Sequence, residues 1–127
     1  MSSPRSKIFI LGIIVFLIII VATIESQTKF VRRLYDDIVM DNKNHYLSCD
    51  RLPSVNEVTS VVEKHRDTIE QIEQIHPGHA GVDVDSLSCP GKADVIIWYA
   101  SHDDRIKIEQ IINNETFFGI PYRLQNR

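Results

Sequence analysis

Residues 94–100, Asp-Val-Ile-Ile-Trp-Tyr-Ala, are apolar on both alternating faces and rich in β-branched and aromatic side chains. A strand with two dry faces belongs in the middle of a sheet, so this segment sets the fold of everything around it. Just before it, Cys89-Pro90-Gly91-Lys92 has the Pro-Gly centre of a type II turn. Upstream of the turn, Val82 and Val84 alternate with Asp83 and Asp85, which predicts a strand with one wet face.

Further upstream, Ser54 and Glu57 form a capping box that opens a helix ended by Pro77-Gly78. Its apolar stripe is Val55, Val58, Val62, Ile69 and Ile72, with His65 set within it as a packed boundary residue. Downstream of the central strand, Ser101 caps a second helix. Asp103 and Asp104 fall in its first turn, where the macrodipole favours acids, and Ile108, Ile111 and Ile112 are its buried side. Residues Thr116 to Leu124 read as a last strand, and Pro121, which has no N–H to donate, sends that strand to a sheet edge. With a short strand at His45–Cys49, the order is βαββαβ. This predicts an α+β, ferredoxin-like domain with an antiparallel sheet of order 4-1-3-2. If the first strand fails, the fallback is a three-stranded αββαβ domain.

The N-terminal third is of another kind. Residues 8–24, IFILGIIVFLIIIVATI, carry no charge and hold fourteen Ile, Leu, Val or Phe residues. Their insertion into a bilayer is favourable by roughly 4 to 8 kcal/mol. At about 1.5 Å per residue the run covers about 25 Å, the short end of a span. The stretch after it, Val21 to Ser26, offers no small-x-small cleavage site, so the segment is expected to stay as a signal-anchor in membrane lipid. The expected organisation is a tail at 1–7, the transmembrane helix at 8–24, a helical stem and linker at 25–44, and an extracytoplasmic α+β domain at 45–127. In the stem, Phe30, Val31, Leu34, Tyr35 and Ile38 recur at helical spacing, a stripe expected to rest on the domain; fewer than two heptads speak against a dimerising coil. Basic residues flank the span on both sides (Arg5 and Lys7 before it; Lys29, Arg32 and Arg33 after) and do not orient it. The extracytoplasmic expectation rests on the N-terminal position of the span and on the cysteines.

Those cysteines, Cys49 and Cys89, fall at strand ends and are expected to pair. A disulfide there would close a loop of 40 residues, worth about 4 kcal/mol in the chain-entropy view, and its setting would be an oxidising compartment. Residues 44–127 carry eight Lys or Arg against thirteen Asp or Glu, so the domain lacks the basic footprint of a nucleic-acid binder.

Two candidate sites follow from the expected topology. His45, His76, His79 and His102 would share one end of the sheet, where with Asp103 they could ligate zinc or copper or sense pH. On the sheet face away from the helices, Ile96 and Trp98 of the central strand with Phe118 and Tyr122 of the edge strand would form an apolar patch for a homodimer or a larger envelope protein. No glycine-rich phosphate loop, nucleophile elbow or triad spacing is present, which weighs against an enzyme, a hydrolase included. Asn114-Glu115-Thr116 is an N-glycosylation sequon if the source is eukaryotic. The leading expectation is a membrane-tethered interaction or assembly module without catalytic activity.

Overall fold

The computed structural model describes residues 4–127. The described residues form two compact units, divided between Tyr35 and Asp36. Helix α1, Pro4–Thr28, is 25 residues long, contains no buried residue, and is the one helix among the described residues long and apolar enough to cross a membrane. It reaches about 37 Å at 1.5 Å per residue, of which the uncharged run 8–24 makes up about 25 Å. Its polar residues near the C-terminus are satisfied within the helix. The Thr23 hydroxyl donates to the Ile19 and Ile20 carbonyls, Ser26 to Thr23, and Thr28 to Ile24. Such back-bonding lets hydroxyls enter an apolar medium without orphaned donors.

The helix stops at Lys29, which takes a left-handed φ of 53°. Helix α2, Phe30–Ile38, follows at once. The Glu25 carboxylate accepts from the backbone N–H groups of Val31 (2.7 Å) and Arg32 (3.2 Å), capping α2 and placing negative charge at its positive end. None of α2's residues is buried.

In the second unit, α3 (Val55–Lys64), α4 (Arg66–Glu73) and α5 (His102–Ile112) accompany a three-stranded mixed sheet of β1 (Ala80–Asp85), β2 (Asp94–Tyr99) and β3 (Tyr122–Asn126). The strand order is β1-β2-β3, so the doubly apolar β2 is central and β3, entered through Pro121, is an edge. β1 pairs antiparallel with β2 from Ala80↔Tyr99 to Asp85↔Asp94, and β3 runs parallel to β2 from Val95↔Tyr122 to Tyr99↔Asn126. Val95, Ile97, Tyr99, Tyr122 and Leu124 face the helices and bury against Val58, Ile69, Ile72 and Ile108. At about 25 cal/mol per Å² of apolar surface, this layer is the main source of stability. Both expected caps form: Ser54 Oγ accepts from Glu57 N (3.3 Å) and Ser101 Oγ from Asp104 N (3.2 Å).

Three expectations are corrected. The sheet is mixed and three-stranded, because β3 pairs directly with β2 and occupies the slot that the ferredoxin-like order reserves for a first strand. The His45–Cys49 segment forms no ladder; only Lys43 bridges to Leu124, by backbone bonds of 3.0 and 2.8 Å. Side chains divert this backbone: Asn44 Oδ1 accepts from Tyr46 N, His45 Nδ1 accepts from Leu47 N, and Tyr46 sits at φ 55°. The long helix from Ser54 is broken at His65 (φ −110°, ψ 35°) into α3 and α4. The element order is thus that of the αββαβ fallback, with its first helix split.

Candidate functional site

The end of the sheet where β1 passes to β2 is tied by a bridge, a disulfide and loop hydrogen bonds. Ser54 bridges to Lys92, and the Ala93 N–H donates to the Pro53 carbonyl (3.1 Å), so the segment leading into α3 lies against the β1–β2 loop. That contact brings Cys49 and Cys89 together in a disulfide with Cα atoms 5.5 Å apart, 40 residues apart in sequence. Inside the loop, Asp85 Oδ1 accepts from the backbone of Leu87 (3.0 Å) and Ser88 (3.1 Å), while the Ser88 hydroxyl donates to Oδ2 (2.6 Å). The loop is fastened at both ends, and at its tip Leu87 is 93% exposed.

Below the loop lies a charge network on the sheet face away from the helices. The Arg123 guanidinium holds both oxygens of Asp94 (2.5 and 2.8 Å) and reaches Asp85 (2.6 Å). His45 Nε2 lies 2.7 Å from Asp94 Oδ2. Because the Leu47 N–H donates to His45 Nδ1 (2.9 Å), the proton is on Nε2 and is donated to Asp94. Asp94 is 2% exposed. Burial alone raises its carboxyl, but hydrogen bonds from His45 and Arg123, with the guanidinium charge, outweigh it and hold the group below the usual carboxylate range. The Ser88 hydroxyl, the loop N–H groups and Arg123 depress Asp85 further, against the opposing effect of its burial. On the same face, the Trp98 indole lies flat across Gly81: a Cβ built there would come within 2.4 Å of Trp98 Cζ2.

A second network lies past the opposite end of β2. Arg105 (7% exposed) pairs with Asp37, Asp41 (2.9 Å) and Glu109 (3.3 Å), and Asp41 Oδ1 also meets His102 Nδ1 at 2.8 Å. Burial opposes ionisation of Asp41, but the bonds from His102 and Arg105 prevail and its carboxyl is lowered. The Tyr99 hydroxyl donates to the Asp41 carbonyl and Tyr46 to Asp36, so α5 and β2 hold the end of α2 and the turn after it.

Of the four histidines expected at one end of the sheet, His76, His79 and His102 lie where β1 begins and β2 ends, and His45 lies at the other end. His45 is with Asp94 at the start of β2; His102 follows the end of that strand, with Asp41. A six-residue strand is about 20 Å long, so these two lie at opposite ends of the sheet. His76 and His79 do meet, with ring centroids 4.6 Å apart, and His76 Nδ1 is 3.0 Å from Asp104. Among the described residues no three His, Cys, Asp or Glu side chains converge as a metal site.

The expected apolar face is likewise divided. Ile96 and Trp98 share the face away from the helices and are partly covered. Tyr122 is 3% exposed in the core, in register with Val95. Phe118 sits at φ 51° in a tight turn with Gly119, closed by Phe117 and Ile120, and stacks on His65 at 3.5 Å. The expected placement on one face fails at this turn, which turns Phe118 away from the line of β3.

Leu87, Arg105, Asp94 and Arg123 are not singled out by the sequence pattern. Arg105 had a signal: it lies three residues before Ile108 on the apolar stripe of α5, where a charge needs buried partners. Asp94, at the head of a doubly apolar strand, had the same one. No protein-family model, curated protein or solved structure matches the chain.

Proposed function

We propose that the chain is a single-pass membrane protein in which α1 anchors a disulfide-stapled domain on the oxidising side of the membrane, where the domain binds another protein and carries out no catalysis. The observation that carries this reading is the Cys49–Cys89 disulfide in a chain whose 25-residue apolar helix buries nothing. Disulfides persist outside the reducing cytoplasm, and a helix with hydrocarbon on every side needs an apolar medium around it. The binding surface on this reading is the stapled end of the sheet. Leu87 is presented on a loop already ordered by Asp85 and the disulfide. A preordered apolar tip loses little entropy on binding, which makes it an efficient anchor for a homodimer or a larger envelope protein. The alternative built on histidine chemistry has less support, since each paired histidine serves a different carboxylate.

The test is topology and thiol state in cells expressing the full chain. The expected result is a membrane-fraction protein whose cysteines take up a maleimide-polymer only after reduction, and whose domain is digested by protease added on the extracytoplasmic side of the membrane. A chain recovered free of membrane, or thiols alkylated without reductant, would refute the proposal.

A further inference from the structure

Helix α2 straddles the boundary between the two compact units, and its two sides differ completely. At 100° per residue, Phe30, Leu34, Ile38, Val31 and Tyr35 fill one continuous arc. Arg32, Asp36, Arg33 and Asp37 fill the other. The polar arc of its last turn is in use. Asp36 accepts from the Tyr46 hydroxyl, Asp37 pairs with Arg105, and the Asp36 carbonyl accepts from Asn42 N (2.7 Å). Within the second unit, the last turn of α2 is therefore held by its polar side. Ile38 is left 69% exposed, and the apolar strip runs on through Val39 (62%) and Met40 (47%).

A short helix with so clean a division needs a medium with the same division. That medium lies immediately N-terminal in the chain: α1 ends at Thr28, and the built corner at Lys29, fastened by Glu25 to the start of α2, ends one helix and starts the other within a single residue. Lys29, Arg32 and Arg33 stand at that corner, at the level of lipid headgroups if α1 spans the bilayer. We infer that residues 29–40 lie in the headgroup–acyl boundary of the membrane that holds α1. The apolar arc is then immersed, Lys29 at the corner meets lipid headgroups, and the polar arc, in which Arg32 and Arg33 alternate with Asp36 and Asp37, faces water. The inference rests on the anchoring reading above. Its chemistry is that of an interfacial amphipathic helix, in which apolar area and basic charge act together.

The test uses the full chain in nanodiscs with nitroxide labels on single introduced cysteines, the native disulfide being left intact. Ile14→Cys reports on α1, Leu34→Cys and Ile38→Cys on the apolar arc, and Arg33→Cys on the polar arc. Discs are made of phosphatidylcholine alone or mixed with phosphatidylglycerol. Accessibility to oxygen against a water-soluble nickel complex gives depth. The expected pattern is Ile14 deep in lipid, Leu34 and Ile38 shallowly immersed, Arg33 aqueous, and deeper immersion in the anionic discs. Replacing Lys29 by Gln in the Leu34→Cys background should lower the immersed-to-exposed ratio about fivefold in anionic discs. If Ile14 is deep but Leu34 and Ile38 are as aqueous as Arg33, the interfacial helix is overturned while the anchor stands. If Ile14 itself is aqueous, the anchor falls. Dipolar broadening between Leu34 labels that ignores lipid composition would mean that a second copy covers the arc, and would also overturn the inference.

Discussion

The two faces of the small sheet are held in opposite ways. Toward the helices, Val95, Ile97 and Leu124 are entirely buried and the contact is apolar. Away from them, the same three strands carry Asp85, Asp94 and Arg123, and His45 from the preceding segment closes the network. One face is stabilised by removing carbon from water; the other by satisfying charge that burial would otherwise penalise. The difference teaches where a single substitution does most harm. An apolar face loses in proportion to the atoms removed, whereas a buried ion network loses the whole compensation of the group left behind.

The largest effect is therefore expected at Arg123. Arg123→Ala leaves Asp94, 2% exposed, with His45 alone and should cost about 3–5 kcal/mol in urea unfolding of the domain. Ile97→Val, on the dry face, should cost only about 0.5–1.5 kcal/mol. If the two variants unfold at the same denaturant concentration, the two faces are not stabilised differently and the comparison breaks.

How far the sequence discloses this arrangement depends on the range of the force involved. The central place of residues 94–99 follows from a local pattern, and so does the edge position of the strand after Pro121, since proline lacks an N–H whatever surrounds it. The caps at Ser54 and Ser101 are also local, and they form. The pairing of Cys49 with Cys89 was legible because only two cysteines exist. What was not legible is non-local. Parallel pairing of β2 with β3 depends on how α5 crosses over, and no residue in either strand announces it. At residues 45–47, side-chain bonds from Asn44 and His45 to the backbone win over strand formation, a competition that alternation cannot reveal. Phe118-Gly119 does contain the glycine of a tight turn, yet a phenylalanine at positive φ is unusual; its stack on His65 is a tertiary contact. Of the four histidines, His45 alone was placed by a strand that does not form; His76, His79 and His102 lie at the end of the sheet where β1 begins and β2 ends.

A smaller effect sharpens the comparison on the outward face itself. Gly81 faces Trp98 across the β1–β2 ladder, and a methyl group there meets the indole at 2.4 Å. Gly81→Ala must push the ring off the strand, at an expected cost of about 1–3 kcal/mol. The displaced Trp98, the one tryptophan in the chain, should report this as a red-shifted fluorescence maximum in the folded protein. An unchanged spectrum with unchanged stability would mean that the indole does not cover Gly81.

The smallest effect is the difference between two acid titrations. Asp85, Asp94 and Asp41 have folded-state carboxyls held below the ordinary 3.8, so their contribution to stability is complete above that value. It is lost as pH falls through the lower folded-state values, because only there does folding cease to favour the ionised form. Stability measured from pH 5 downward should thus fall as protons are taken up on unfolding. In Arg123→Ala the fall should be shallower: Asp94 and Asp85 have lost the guanidinium that depresses them, and their folded-state values move back toward the unfolded one. Asp41, which answers to Arg105 and His102 beyond the far end of β2, should keep its share in both proteins. Parallel acid limbs in the two proteins would show that the charged face contributes geometry and packing but no proton linkage, and the contrast between the faces would then reduce to one of shape.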